Sequence, residues 1–383
     1  EKLKKAKRIL VTCGQGSFVS SALQESLNEF FKKYNSAVSV EYMSNIEIEE
    51  GLNLNVCMDA RYVIPKKVKE FLPDIVISFG GNIFAGIKEQ FRKFAGEFEH
   101  WLVQEDGRVV DLYKSITTIF ECKPECFFRY CVKMADKDQL NDREYYHGLK
   151  SYVDSVVYPD FPYSHVYAIK EVVEKIPSDS VLHLSINDSI RITNFFKLNP
   201  RIKTYANIGT HGIDGCLSSF LGQAAAGDKQ SYLVIGDLAF FYDMNAMRLR
   251  HIKNNVHILL INNEGGSEFY FNHMWKDEAS DLHTTARHHT KAEGWVKSNN
   301  FIYLSAHDKE SMQEALKEFM RCDLEKPVFL EVFTETDSDV IYDFFDLSRP
   351  KDVQSETIRR SKEFIKATIG QEKAQKIAGL FKK

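Results

Sequence analysis

Tyr232-Leu-Val-Ile-Gly236-Asp237-Leu238 and, further on, Ile258-Leu-Leu-Ile-Asn262-Asn263-Glu264-Gly265-Gly266 decide the fold class of this chain. Each is a short apolar run closed by a polar turn. Such runs, bounded by Gly and Asn, are strands buried on both faces. The residues between them, 242–252, are expected to form a helix. A strand–helix–strand crossover is right-handed and brings the carboxyl ends of both strands to one edge of a parallel sheet. Asp237 leaves one strand end and Asn263 leaves the next, so their oxygens can converge on one hard cation. Mg²⁺ takes about six oxygens and shares them among few protein groups, water and phosphate. One carboxylate, one amide oxygen and one backbone carbonyl fit this if a diphosphate supplies the rest. Gly265 and Gly266 let the backbone turn so that a carbonyl faces the ion. Taken alone, Gly-Asp and Asn-Asn are also common strand-end turns.

The same alternation extends outward in both directions. Strands are expected at 180–184, 257–261 and 327–333, with helices at 165–175, 212–226 and 311–322. Upstream, strands at 8–12, 37–42, 74–79 and 100–104 alternate with helices, one of which carries Leu23, Leu27, Phe30 and Phe31 on a single face. The expected fold is α/β, with two doubly wound, mainly parallel sheets: a Rossmann-like central domain over 1–155 and a second domain over 156–334. The stretch 135–161 is charged, Tyr-rich and weakly periodic, which places the boundary there. Residues 335–383 read as a helical extension, with Lys-rich amphipathic helices at 355–367 and 371–381.

Composition narrows the functional classes. Of 383 residues, 44% are apolar and 27% charged, the balance of a soluble globular protein rather than a disordered one. The net charge of −4 argues against general nucleic-acid binding. Seven cysteines, an odd number in a long chain, read as reduced thiols and a cytoplasmic setting. Cys122, Cys126 and Cys131 lack the second ligand pair of a zinc site. No apolar run approaches the ~18–20 residues of a membrane span, and the first ten residues, basic but followed by no apolar stretch with a cleavage site, are not expected to act as a signal peptide. Residue 1 is Glu, so a piece of a longer chain is expected.

A third motif, Asn207-Ile208-Gly209-Thr210-His211-Gly212-Ile213-Asp214-Gly215, precedes the Gly-Asp strand. In this order the three motifs resemble the thiamine diphosphate (ThDP)-dependent enzymes. The Gly-Ile-Asp-Gly, and the Tyr-Asp-x-Asn-Ala after the Gly-Asp, resemble most the SEPHCHC synthases, carboligases of menaquinone biosynthesis. Pro73-Asp-Ile-Val-Ile-Ser-Phe-Gly80, His288-His289 and Pro327-Val-Phe-Leu-Glu-Val are similar to other segments of that family. The resemblance spans about residues 5–334, strong from 205 to 266. It implies that Asp237 and Asn263 ligate Mg²⁺ by side chains and Gly265 by its carbonyl. It also implies that Ile213, otherwise an ordinary core residue, supports a bent cofactor beside Gly212. Backbone amides near Gly236, Leu238, Ala239 and Gly266 would face the diphosphate. The implied substrate is a small 2-oxo acid, and the implied assembly is a dimer or tetramer. The family's pyrimidine-binding domain, with its Glu, is expected upstream or on another chain. The 383 residues alone are therefore expected to show no turnover.

The substrate side departs from the family pattern. Asn207-Ile208-Gly209 lacks the family's Arg, Gly86 stands where a basic residue is usual, and Glu268 replaces an apolar residue before Phe269. Arg191 reads either as a substrate anchor or as a surface arginine. Among His283, His288 and His289, one is a candidate proton donor at the edge of the site; His289 is taken as that candidate, with Arg191 and Glu268 as further catalytic candidates. These departures predict a less anionic acceptor than that of the SEPHCHC synthases, or a different one altogether; the alternative is a non-catalytic or divergent protein of the same fold, or a different 2-oxo acid decarboxylase. Gly14-x-Gly16 followed by Glu41 is also compatible with a dinucleotide site, but the third glycine of that motif is replaced by Val19.

Overall fold

The computed structural model describes residues 1–16, 19–48, 50–58, 65–83, 86–135, 143–266 and 282–334. The tail 335–383 and Glu268 lie outside them. The first sheet contains β1 (Ile9–Cys13), β2 (Ser36–Val40), β3 (Ile75–Phe79), β4 (Glu99–Val103) and β5 (Ile116–Phe120), all parallel, in the order β2-β1-β3-β4-β5. Every residue of β1 and β3 is buried. Strands hidden on both faces require helices on both faces. The helix Ser21–Lys33 covers one of them. Ser20 caps it by accepting from the Leu23 amide, and Leu23, Leu27, Phe30 and Phe31 turn inward. It packs on the helix Pro124–Met134, where Phe128 meets Phe30 edge-on at 5.2 Å and the Cys131 carbonyl accepts from Tyr34 Oη at 2.8 Å. Cys131 is thereby a core residue, while Cys126 is exposed.

The second sheet is also all parallel. It contains β6 (Val181–Leu184), β7 (Lys203–Ala206), β8 (Ser231–Gly236), β9 (Val256–Asn262), β10 (Ile302–Ala306) and β11 (Val328–Phe333), ordered β10-β11-β9-β8-β6-β7. The chain goes outward from β6 to β7, then returns to build the other side from β8. The strand order therefore reverses between β6 and β8, where a crevice opens above the carboxyl ends.

Two helices differ from expectation. The helix expected over 212–226 starts at Cys216, because His211 and Gly215 adopt left-handed backbone (φ 59° and 71°), which no helix accommodates. The helix expected over 242–252 begins earlier, as Asp237–Asp243 directly after β8, and tightens into a 3₁₀ turn at Met244–Arg248. The stretch 135–161 contains the helix Glu144–Asp154, whose Tyr145, Tyr146 and Leu149 are buried.

The two sheets meet through backbone-directed side chains. Asn45 accepts from the Thr204 amide at 2.8 Å and donates to its carbonyl at 3.0 Å. Gln15 Nε2 donates to the Ala206 carbonyl at 2.7 Å. Gly14 and Gly81 belong to the same joint: a Cβ on Gly14 would lie 2.2 Å from the Gly81 carbonyl oxygen. The glycines of the Gly14-x-Gly16 motif thus let two loop backbones touch, and Glu41 is buried. Among the described residues, no helix is long and apolar enough to cross a membrane.

Candidate active site

The crossover places Asp237 and Asn263 side by side, because β8 and β9 are parallel neighbours. Asp237 is 2% exposed. Its Oδ2 accepts from the Asn263 amide at 3.1 Å and the Gly265 amide at 3.0 Å, and its Oδ1 accepts from the Leu238 amide at 2.6 Å. A buried carboxylate needs such donors to offset desolvation. The loop turns around it through Glu264 (φ 64°) and Gly265 (φ 150°). A side chain at 265 has no room, since a Cβ would lie 2.8 Å from the Thr285 carbonyl oxygen. That oxygen also accepts from the Gly266 amide at 2.8 Å.

A cavity of about 510 Å³ opens over this corner, at the β6/β8 reversal. Gly212, Ile213, Gly236, Asp237, Leu238, Ala239, Asn263, Gly265 and Gly266, the residues the sequence associates with a cofactor, all line it. Its far wall is formed by Ser185, Ile186, Asn187, Asp188 and Ser189, which follow β6, with His165 and Ile169 beside them; the run Asn187-Asp188-Ser189-Ile190-Arg191 loosely matches the family's Asn-Ser…Arg segment, whereas His165, Ile169, Ser185 and Ile186 carry no such mark in the sequence. Asn187 has φ 61° and ψ −116°, a strained backbone for a residue with a side chain. The available signal was the polar Asn187-Asp188-Ser189 run at another strand end on the same sheet edge.

The catalytic candidates are placed differently. Arg191 does not line the cavity; its Nη1 lies 3.8 Å from Asp188 Oδ1, one helical turn back. His289 is exposed and pairs with Glu264 Oε1 at 3.0 Å. It is His288 whose Nε2 approaches Asp237 Oδ2, at 3.4 Å, and the carboxylate raises the imidazole pKa. In a loop, sequence adjacency does not tell which of two histidines points inward. His283 is exposed. Ile208 and Gly86, the two positions without the expected cations, are buried and do not line the cavity.

The donor set fits Mg²⁺ and a diphosphate. It offers one carboxylate, one amide oxygen and one carbonyl, all hard oxygens. Among the described residues no cluster of three His, Cys, Asp or Glu side chains forms a softer metal site. Gly236 supplies open space: a Cβ there would meet nothing within 4 Å, so a ligand can approach the backbone closely.

No protein-family model matches the chain. Individual proteins do. The chain is 32% identical over 345 residues to 2-succinyl-5-enolpyruvyl-6-hydroxy-3-cyclohexene-1-carboxylate (SEPHCHC) synthase of Phocaeicola vulgatus, covering 88% of this chain and 60% of that protein. It is 34% identical over 291 residues to the synthase of Bacteroides thetaiotaomicron, covering 75% and 52%. It is 30% identical over 354 residues to that of Flavobacterium johnsoniae, covering 88% and 61%. The chain thus spans about three fifths of the length of the curated relatives it matches. With two all-parallel sheets and this similarity along nearly nine tenths of its length, the chain is a relative of the SEPHCHC synthases and matches about three fifths of their length.

Proposed function

We infer that this chain is the cofactor-anchoring part of a ThDP-dependent 2-oxo acid decarboxylase or carboligase. The observation that carries the reading is the convergence of Asp237, Asn263 and Gly265 at the floor of the cavity. Asp237 and Asn263 would hold Mg²⁺ by their side-chain oxygens and Gly265 by its carbonyl. Ile213, between the two cores, presents an apolar surface to the cavity. Bound there, ThDP supplies the electron sink for decarboxylating a 2-oxo acid and passing the remaining carbons to an acceptor. The pyrimidine-binding part belongs outside these 383 residues. The domain division at 155 and 334 follows the same reading: one sheet builds the central domain, the other carries the site.

One observation favours a changed acceptor. The charged side chains along the described cavity wall, histidines apart, are Asp188 and Asp237, and no Lys or Arg is among them. Polyanionic substrates need cationic partners when desolvated. We therefore expect a less anionic acceptor than isochorismate. Steady-state assay of the full-length protein with 2-oxoglutarate and isochorismate tests both parts. Decarboxylation without efficient SEPHCHC formation supports the reading. A specificity constant of ~10⁴ M⁻¹s⁻¹ or above would show that other residues supply the cations. Absence of decarboxylation with any 2-oxo acid would overturn the activity itself.

A further inference from the structure

Glu331 is a carboxylate buried to 0% exposure in the middle of the second sheet, and it does not line the cavity. Its partners are neutral. Oε1 accepts from Asn262 Nδ2 at 2.8 Å, Oε2 accepts from Tyr303 Oη at 2.7 Å, and both oxygens lie 3.1 Å from the Ala292 amide. Burial, and then the carboxylate itself, push the Tyr303 pKa up, so the phenol stays a donor. A buried carboxyl group whose hydrogen-bond partners among the described residues are all neutral is a costly way to hold a strand together, and an apolar residue would serve packing better. Its partners explain its place. They come from the last residue of β9, from β10, and from the loop entering the helix Glu293–Ser298.

Both routes from Glu331 end at the metal corner. Asn262 immediately precedes Asn263. Its side chain also donates to the Thr290 carbonyl at 2.9 Å and accepts from the Glu264 amide at 3.3 Å. The second route runs through Ala292 to the loop that carries Thr285, whose carbonyl seats Gly265 and Gly266. We propose that Glu331 is a positioning residue that fixes Asn263 and Gly265 for the cation from behind, through Asn262 and Ala292. This rests on the reading of Asp237, Asn263 and Gly265 as a Mg²⁺ site. Groups that orient metal ligands typically change affinity 10–100-fold when altered.

The test is Mg²⁺-dependent ThDP binding by the full-length protein, measured by calorimetry across Mg²⁺ concentration, with circular dichroism confirming that each variant is folded. Glu331→Gln keeps one accepting oxygen but turns an N–H toward Ala292 and Tyr303. It should raise the Mg²⁺ concentration for half-saturation at least about tenfold at a temperature where it is fully folded. Should that variant not fold, Tyr303→Phe removes one donor at the periphery and should raise the same value about threefold. A folded Glu331→Gln with wild-type half-saturation, or in its absence an unchanged Tyr303→Phe, would show that Glu331 serves packing alone while leaving the metal site intact. A wild type that binds ThDP without Mg²⁺ would overturn the metal site, and the role of Glu331 with it.

Discussion

Asp237 is the residue around which the site folds. Three backbone amides, from Leu238, Asn263 and Gly265, point at its two oxygens, so the loop after β9 takes its shape from a side chain that leaves β8. Gly265 is where this shape is most exacting. Gly265→Ala must leave its φ of 150° and displace the Thr285 carbonyl. It should weaken Mg²⁺-dependent ThDP binding tenfold or more in calorimetry, while the melting temperature falls only a few degrees. An Ala variant with wild-type affinity would mean that the loop adjusts and the carbonyl at 265 is not a ligand. Asp237, Asn263 and the glycines are legible in the sequence because each punctuates an apolar run. Asn187–Ser189 are less legible, since β6 ends without a glycine, and the inward-facing His288 was not distinguishable from His289 because a loop has no periodicity.

At the scale of elements, legibility follows burial. β1, β3, β8 and β9, buried throughout or nearly so, stand out as apolar runs. β5, β7 and β10 sit at the sheet edges, where partly exposed positions break the run and hide the strand. The Gly14-x-Gly16 motif shows a second limit: sequence reveals that the backbone must be bare, not what approaches it. The approaching group is the Gly81 carbonyl. Gly14→Ala should therefore destabilise the fold by roughly 1–3 kcal/mol through overpacking against backbone, read as a lower urea midpoint. An unchanged midpoint would mean that the two loops do not touch.

At the scale of the whole molecule, three of the buried histidines among the described residues make the fold sensitive to acid. His100, His183 and His257 are each pushed down to about 4 by burial, from an unfolded value near 6.5. Each contributes stability that is fully present above pH ~6.5 and is lost as pH falls toward 4, at about 1.4 kcal/mol per pH unit. His288 runs the other way. Asp237 raises its pKa, so its contribution is present below pH ~6.5 and fades as pH rises through the raised value. Three groups outweigh one, and the melting temperature should fall steadily from pH 6.5 to 4.5; a flat profile would contradict the burial of these rings. The central claim is the anchoring of ThDP through Mg²⁺ at Asp237, and the direct measurement is calorimetric titration of ThDP into the full-length protein with and without Mg²⁺, for the wild type and Asp237→Ala. The account predicts binding only with Mg²⁺ in the wild type and none in the variant, because an amide and a carbonyl cannot balance the ion and the diphosphate. Unchanged affinity in Asp237→Ala would contradict it.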